Sequence, residues 1–199
     1  MREYKLEFKN HMGAWFMDES ICDKMLKYFY DNPQIHNVGK AYYSDEKSEE
    51  VRYTKNVDIK DSTEIQIPYN FFGKPFDEYR DSLQNILDKY IERYYYLKWV
   101  LKFNINEDYI LQTYPKGGGF KSWHAENCSP KLSKRILVFM TYLNDVPDGG
   151  TMFRDQDIII PAKKGLTLIW PAGFTHVHKG QITDKHEKQR VTGWFSFND

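Results

Sequence analysis

The spacing of apolar positions changes twice along this chain. Residues 3–9 alternate, with Tyr4, Leu6 and Phe8 against Glu3, Lys5, Glu7 and Lys9, which predicts a strand with one buried face. From Asp18 the period lengthens. Asp18 is placed to cap a helix and Glu19 to favour its first turn. Ile21, Met25, Leu26 and Phe29 then share one stripe, and Asn32-Pro33 stops it. Residues 39–56 (GKAYYSDEKSEEVRYTKN) are polar and predict an exposed loop or hairpin, after which strand-like residues resume at Ile59 and Ile65-Gln66-Ile67. Lys74-Pro75 opens a second helix of about twenty residues, in which Tyr79, Leu83, Ile86, Leu87, Tyr90, Ile91 and Tyr94 recur at three and four. Both stripes are core faces.

After residue 98 the texture becomes short strands separated by turn signals. The pattern predicts strands at Trp99–Asn104, Glu107–Tyr114, Arg135–Leu143, Met152–Phe153, Asp157–Pro161, Leu166–Trp170, Thr175–Lys179 and Arg190–Phe197. PKGGG and NDVPDGG mark turns, with Gly149 and Gly150 as turn residues. Two helices followed by many short strands predict a mainly β fold, a jelly-roll core with the N-terminal helices packed on one sheet. A single domain over 1–199 is expected, with helical support to about residue 98 and the core beyond it.

Composition narrows the classes. Lys plus Arg and Asp plus Glu both total 28, so there is no net charge to favour nucleic acid or an anionic membrane. Aromatics make up 17% of the chain, which suits strands and an aromatic-lined pocket rather than disorder. Cys22 and Cys128 are far apart and form no CxxC pair, so neither a disulfide framework nor a zinc-cysteine site is indicated. With no signal-peptide region and no membrane-spanning run, a soluble cytoplasmic protein is expected.

The stretch Trp123–Asn127, WHAEN, carries the candidate chemistry. On a strand, His124 and Glu126 leave the same face. A third ligand from a distant strand would complete a 2-His-1-carboxylate triad, the arrangement of non-haem Fe(II) oxygenases. PAGFTHVHKGQ offers His176 and His178, and chance makes the choice even. A 2-oxoglutarate cosubstrate would also need a cation for its distal carboxylate, and KHEKQRVTGWFSF supplies Lys188, Arg190 and Thr192, all of one parity.

These pieces occur in a telling order: QTYPKGGGF, WHAEN, RILVFMTYLNDV, DGGTMF, KKGLTLIWPA, THVHKG and EKQRVTGWF, over roughly residues 110–197. In this order they resemble the Fe(II)/2-oxoglutarate-dependent dioxygenase superfamily, in its prolyl-4-hydroxylase-like branch. The resemblance implies a cupin-like double-stranded β-helix. It implies metal ligation by His124, Glu126 and His178. Lys188, ten residues after His178 and four before Thr192, falls where that family places its oxoglutarate anchor. Arg190 is then the backup anchor and His176 a residue beside the ligands or on the pocket wall. Tyr114, ten residues before His124, Tyr142 and Thr192 match cosubstrate-contacting positions, and Trp194 closes the Thr-x-Trp motif.

One departure stands out: the usual motif is His-x-Asp, and this chain has His-x-Glu. The resemblance further implies Fe(II), 2-oxoglutarate and O₂, with ascorbate in support, hydroxylation of a C–H bond, and release of succinate and CO₂. The substrate expected from the branch is a prolyl or other peptidyl group, with small metabolites open. RVTGWF lacks the second arginine typical of nucleic-acid demethylases. Residues 40–56 are the candidate lid. The alternative from another class is a non-catalytic jelly-roll binding module, supported by the His-x-Glu change.

Overall fold

Asp18 caps the first helix, its carboxylate accepting from the Ser20 N–H at 2.8 Å. The computed structural model describes residues 1–6, 10–44 and 51–198, without the side chains of 42–44 and 51–54. In chain order the elements are β1 (Gly13–Phe16), α1 (Glu19–Asp31), β2 (Asn37–Val38), β3 (Ala41–Ser44), β4 (Val51–Thr54), β5 (Lys60–Asp61), β6 (Thr63–Ile67) and α2 (Phe76–Arg93). There follow β7 (Phe103–Asn104), β8 (Tyr109–Tyr114), β9 (Gly119–Phe120), β10 (Arg135–Tyr142), β11 (Val146–Phe153), β12 (Ile158–Ala162), β13 (Leu166–Pro171), β14 (His178–Gly180) and β15 (Lys188–Phe197).

The main sheet runs β1-β13-β10-β15-β8-β6-β2, with β7 on the end of β15, and a smaller sheet runs β12-β11-β14. Alternation along the strands sorts the side chains. Leu137 and Phe139 of β10 and Val191 and Phe195 of β15 join Met25 and Phe29 of α1 and Tyr79, Leu83, Ile86 and Tyr90 of α2 in one core. Val138, Met140 and Tyr142, with Trp194, face the other way into a second core shared with Val146, Phe153, Ile160 and Trp170. Helices thus cover one face of the main sheet and the small sheet closes the other, the expected double-stranded β-helix. Among the described residues no helix is long and apolar enough to cross a membrane.

Gly193 of β15 makes the helix-side packing possible. A Cβ there would meet the Phe139 ring at 2.4 Å and Tyr109 Cβ at 2.6 Å. Gly193→Ala should therefore overpack the core, cost about 1–3 kcal/mol, and lower the calorimetric Tm by several degrees.

Several sequence expectations need correction. Of the strand expected at 3–9, Glu3 makes only an isolated bridge to Trp15, and residues 7–9 lie outside the description. Trp99 ends a 3-10 turn (Tyr95–Trp99) that continues α2, and only Phe103–Asn104 pairs. NDVPDGG is not a turn. Val146 already belongs to β11, and a bulge between Val146 and Thr151 absorbs the extra residues. Gly150 lies in that strand because a Cβ would come within 2.3 Å of the Ile160 carbonyl. Residues 174–176 form a 3-10 turn before β14. The segment 39–56 does form a hairpin, β3 with β4, although its tip, 45–50, lies outside the described residues. The main sheet draws on β1, β2 and β6 from the first half, so the boundary expected near residue 98 does not divide it.

Candidate metal centre and cavity

WHAEN is not a regular strand. His124 makes an isolated bridge with His178: the His124 N–H donates to the His178 carbonyl at 3.0 Å, and the His178 N–H to the His124 carbonyl at 2.9 Å. The Glu126 N–H donates to the Ala172 carbonyl at 2.9 Å. This two-residue spacing, with the bridge to His178, brings His124, Glu126 and His178 together, with one ligand atom from each within 4.8 Å of the others. Glu126 Oε1 lies 3.4 Å from His124 Nε2 and 3.5 Å from His178 Nε2.

The other ring nitrogens are held by backbone. His124 Nδ1 is 3.0 Å from the Ser122 carbonyl and His178 Nδ1 is 3.0 Å from the His176 carbonyl. A carbonyl can only accept, so each Nδ1 carries the proton and each Nε2 offers its lone pair. Burial and the neighbouring His124 push the His178 imidazole toward its neutral form. Burial raises the Glu126 carboxyl, but when the two imidazoles also carry a proton on Nε2 their hydrogen bonds and charge outweigh burial and hold the group well below the usual carboxylate range. Phe120 stacks on His124, centroids 3.7 Å apart, and Trp170 meets His178 edge-on at 5.1 Å. Two neutral imidazoles and one carboxylate, with no thiolate, suit a borderline-hard divalent ion such as Fe(II) or Mn(II).

The three groups open into a cavity of about 650 Å³. Arg190, Thr192 and Trp194 line it; Lys188, Tyr114, Tyr142 and His176 do not. Lys188 is spent behind the wall, donating to the Gln181 carbonyl at 2.9 Å. Arg190 donates through Nε to Gln112 Oε1 at 2.8 Å and through Nη2 to the Tyr114 hydroxyl, and Nη1 lies 3.1 Å from Met140 Sδ. None of these partners is an anion. Tyr142 is tied to Thr151 at 2.6 Å, and His176 is turned away, its Nε2 2.7 Å from the Asn10 carbonyl.

Sequence reasoning missed part of the wall. Glu64, Gln112, Arg190 and Tyr142 are register neighbours across β6, β8, β15 and β10, forming a polar row over the main sheet. Glu64 Oε1 accepts from Gln112 and Ser62, both at 2.8 Å, and pairs with Lys60 at 2.5 Å. The signal was present in TEIQI, where Glu64 and Gln66 alternate with core-facing Ile65 and Ile67. From the lid candidate, Lys40, Ala41 and Lys55 line the cavity.

Burial, and then the charge of Arg190, lower the Lys188 pKa from 10.5 to about 7. Below pH 7 both folded and unfolded chains hold this proton, and the penalty is fully present. Between pH 7 and 10.5 only the unfolded chain holds it, so stability rises with pH across that window. In Lys188→Met that contribution disappears. Denaturant titrations from pH 6 to 10 should show the wild type gaining on the variant as pH rises; parallel profiles would mean that Lys188 is not desolvated.

Residues 109–196 match the family model of the 2OG-Fe(II) oxygenase superfamily. No curated protein matches the chain by sequence. Among solved structures, a Pseudomonas putida prolyl-4-hydroxylase is 13% identical with a TM-score of 0.68, over 96% of this chain and 95% of that one. The viral collagen prolyl hydroxylase of Paramecium Bursaria Chlorella virus-1, solved with 2OG, is 15% identical with a TM-score of 0.63, over 96% and 98%. A Trichoplax adhaerens prolyl hydroxylase, in complex with a hypoxia inducible factor peptide fragment, is 15% identical with a TM-score of 0.70, over 94% and 84%. At these identities the likeness establishes the fold.

Proposed function

We propose that this chain, whose residues 109–196 match the family model of the 2OG-Fe(II) oxygenase superfamily, is an Fe(II)- and 2-oxoglutarate-dependent hydroxylase acting on a C–H bond of a peptidyl substrate. The observation that carries this reading is the convergence of His124, Glu126 and His178 on a cavity whose wall holds a guanidinium with no anionic partner among the described residues. Iron, when bound there, supplies the O₂ chemistry by which a C–H bond, O₂ and oxoglutarate become C–OH, succinate and CO₂.

The chain's own residues do the positioning. His124 and His178 present Nε2 and Glu126 presents Oε1. Arg190 and Thr192 receive the distal carboxylate of oxoglutarate, with the Tyr114 hydroxyl bonded to Arg190 from behind and Lys188 packed over the Tyr114 ring. Tyr142, held by Thr151, supports this end. Phe120, Met140 and Trp170 keep water from the reacting end of the cavity. An adjoining groove of about 440 Å³ shares Glu107, Leu132 and Arg135 with the cavity. That extension favours a chain-like substrate over a small metabolite.

The test is succinate formation with Fe(II), ascorbate and oxoglutarate in the presence of a peptide library, read together with the gain of one oxygen atom in the peptide. Oxygen gained by a free amino acid and by no peptide would move the assignment to small metabolites. Metal binding without succinate would favour the non-catalytic binding module.

A further inference from the structure

Glutamate puts one more methylene between backbone and carboxylate than aspartate does. The longer side chain must lose more rotamer freedom to present one oxygen in a fixed place. It can also swing to offer both oxygens to a metal, occupying a position that cosubstrate or O₂ would need. A glutamate at position 126 therefore calls for a restraint on its second oxygen.

Glu126 Oε2 is turned away from the two imidazoles and accepts from Trp194 Nε1–H at 3.0 Å. Arg135 Nη1 lies 3.7 Å from the same oxygen and donates to the Glu126 carbonyl at 3.3 Å. The guanidinium carbon sits 3.5 Å from the Trp194 ring centroid, a cation–π contact. Glu107 takes the opposite edge of Arg135: Nε donates to its two oxygens at 2.9 and 3.1 Å, and Nη2 also donates to Oε2. Ser196 Oγ anchors Glu107 at 2.9 Å. Arg135 lies on β10 opposite Ser196 of β15, and Trp194 opposite Val138, so the brace is fixed by the pairing of two adjacent strands.

We propose that Trp194 and Arg135 are positioning residues for the metal centre, holding Glu126 Oε2 so that Oε1 alone faces His124 and His178. The proposal rests on the metal-binding reading of the triad. It explains how this chain keeps an open, one-oxygen carboxylate geometry with the longer acid. Arg135 acts in two places, at the carboxylate and under the indole, and Glu107 fixes its orientation.

The test is a double-mutant cycle in Mn(II) affinity, read by titrating the free-ion EPR signal. Trp194→Phe keeps an aromatic face and removes the indole N–H, and should weaken Mn(II) binding by roughly 10- to 100-fold, the range for loss of an outer partner. In a Glu126→Asp background the carboxylate is drawn back from the indole, so adding Trp194→Phe should change affinity by less than about threefold. Wild-type affinity in Trp194→Phe, or an equal drop in both backgrounds, overturns the brace while leaving the triad in place. A wild-type protein that binds no Mn(II) overturns the proposed function and the brace with it. If Trp194→Phe does not fold, the brace is read from the other side. In metal-free protein the Trp194 indole ¹⁵N–¹H should exchange with solvent about tenfold faster in Glu126→Asp than in wild type, and equal exchange overturns the proposal.

Discussion

His124→Ala protein should take up no stoichiometric Mn(II) or Fe(II), whereas wild type should bind one ion per chain. Three protein ligands are few, and each imidazole here is aimed by a carbonyl on its far nitrogen. Removing one ligand leaves two donors and a gap, so the loss should exceed the roughly 10- to 100-fold cost of deleting an outer partner. His178→Ala should behave alike. His176→Ala is the control: its ring is bonded to the Asn10 carbonyl and does not line the cavity, so metal should be retained. Glu126→Asp should keep part of the affinity and Glu126→Ala little. Dialysis against metal followed by elemental analysis checks all five variants against wild type. Stoichiometric metal in His124→Ala would place the centre elsewhere.

Arg190→Ala in metal-loaded protein should raise the oxoglutarate dissociation constant by roughly two orders of magnitude, since truncating one partner of a buried charge pair costs about 2–5 kcal/mol. The guanidinium faces the cavity, and among the described residues it is met by an amide oxygen, a hydroxyl and a sulfur, which leaves its charge available to a dianion. Lys188→Ala should have the smaller effect, because its ammonium is bonded to the Gln181 carbonyl behind the wall. Calorimetric titration of both variants decides between them. A steep loss in Lys188→Ala with normal binding in Arg190→Ala would restore the lysine as the anchor and leave Arg190 as a support for Tyr114.

The grouping of His124, Glu126 and His178 has a local part and a long-range part: two residues separate His124 from Glu126, whereas His178 reaches them through the backbone bridge it makes with His124. The single parity of Lys188, Arg190 and Thr192 was also local. Their order of depth was not, because it depends on Gln181, whose carbonyl captures Lys188 across a turn. Lys60 and Glu64 stayed hidden because their places at the cavity follow from the registers of β5 on β9 and of β6 on β8, which are long-range facts. Arg135 read as an ordinary strand residue, and only the β10–β15 pairing brings it to Glu126. Helices were read well where caps and stripes agree, as at Asp18. The strand expected at Trp99 failed because a run of aromatic residues there has no sheet to cover it, and Trp99 is left exposed.

The interleaving of both halves of the chain in one sheet bears on how the protein can be cut. A fragment holding only residues 99–199 would lack β1, which pairs with β13, and β6, which pairs with β8. Both would then end in bare rows of unpaired amides and carbonyls, ready templates for another copy. Its outer face would also lose α1 and α2, exposing Leu137, Phe139, Val191 and Phe195 to water. Such a fragment should precipitate or form fibrillar aggregates rather than fold, although it contains every group placed at the metal centre.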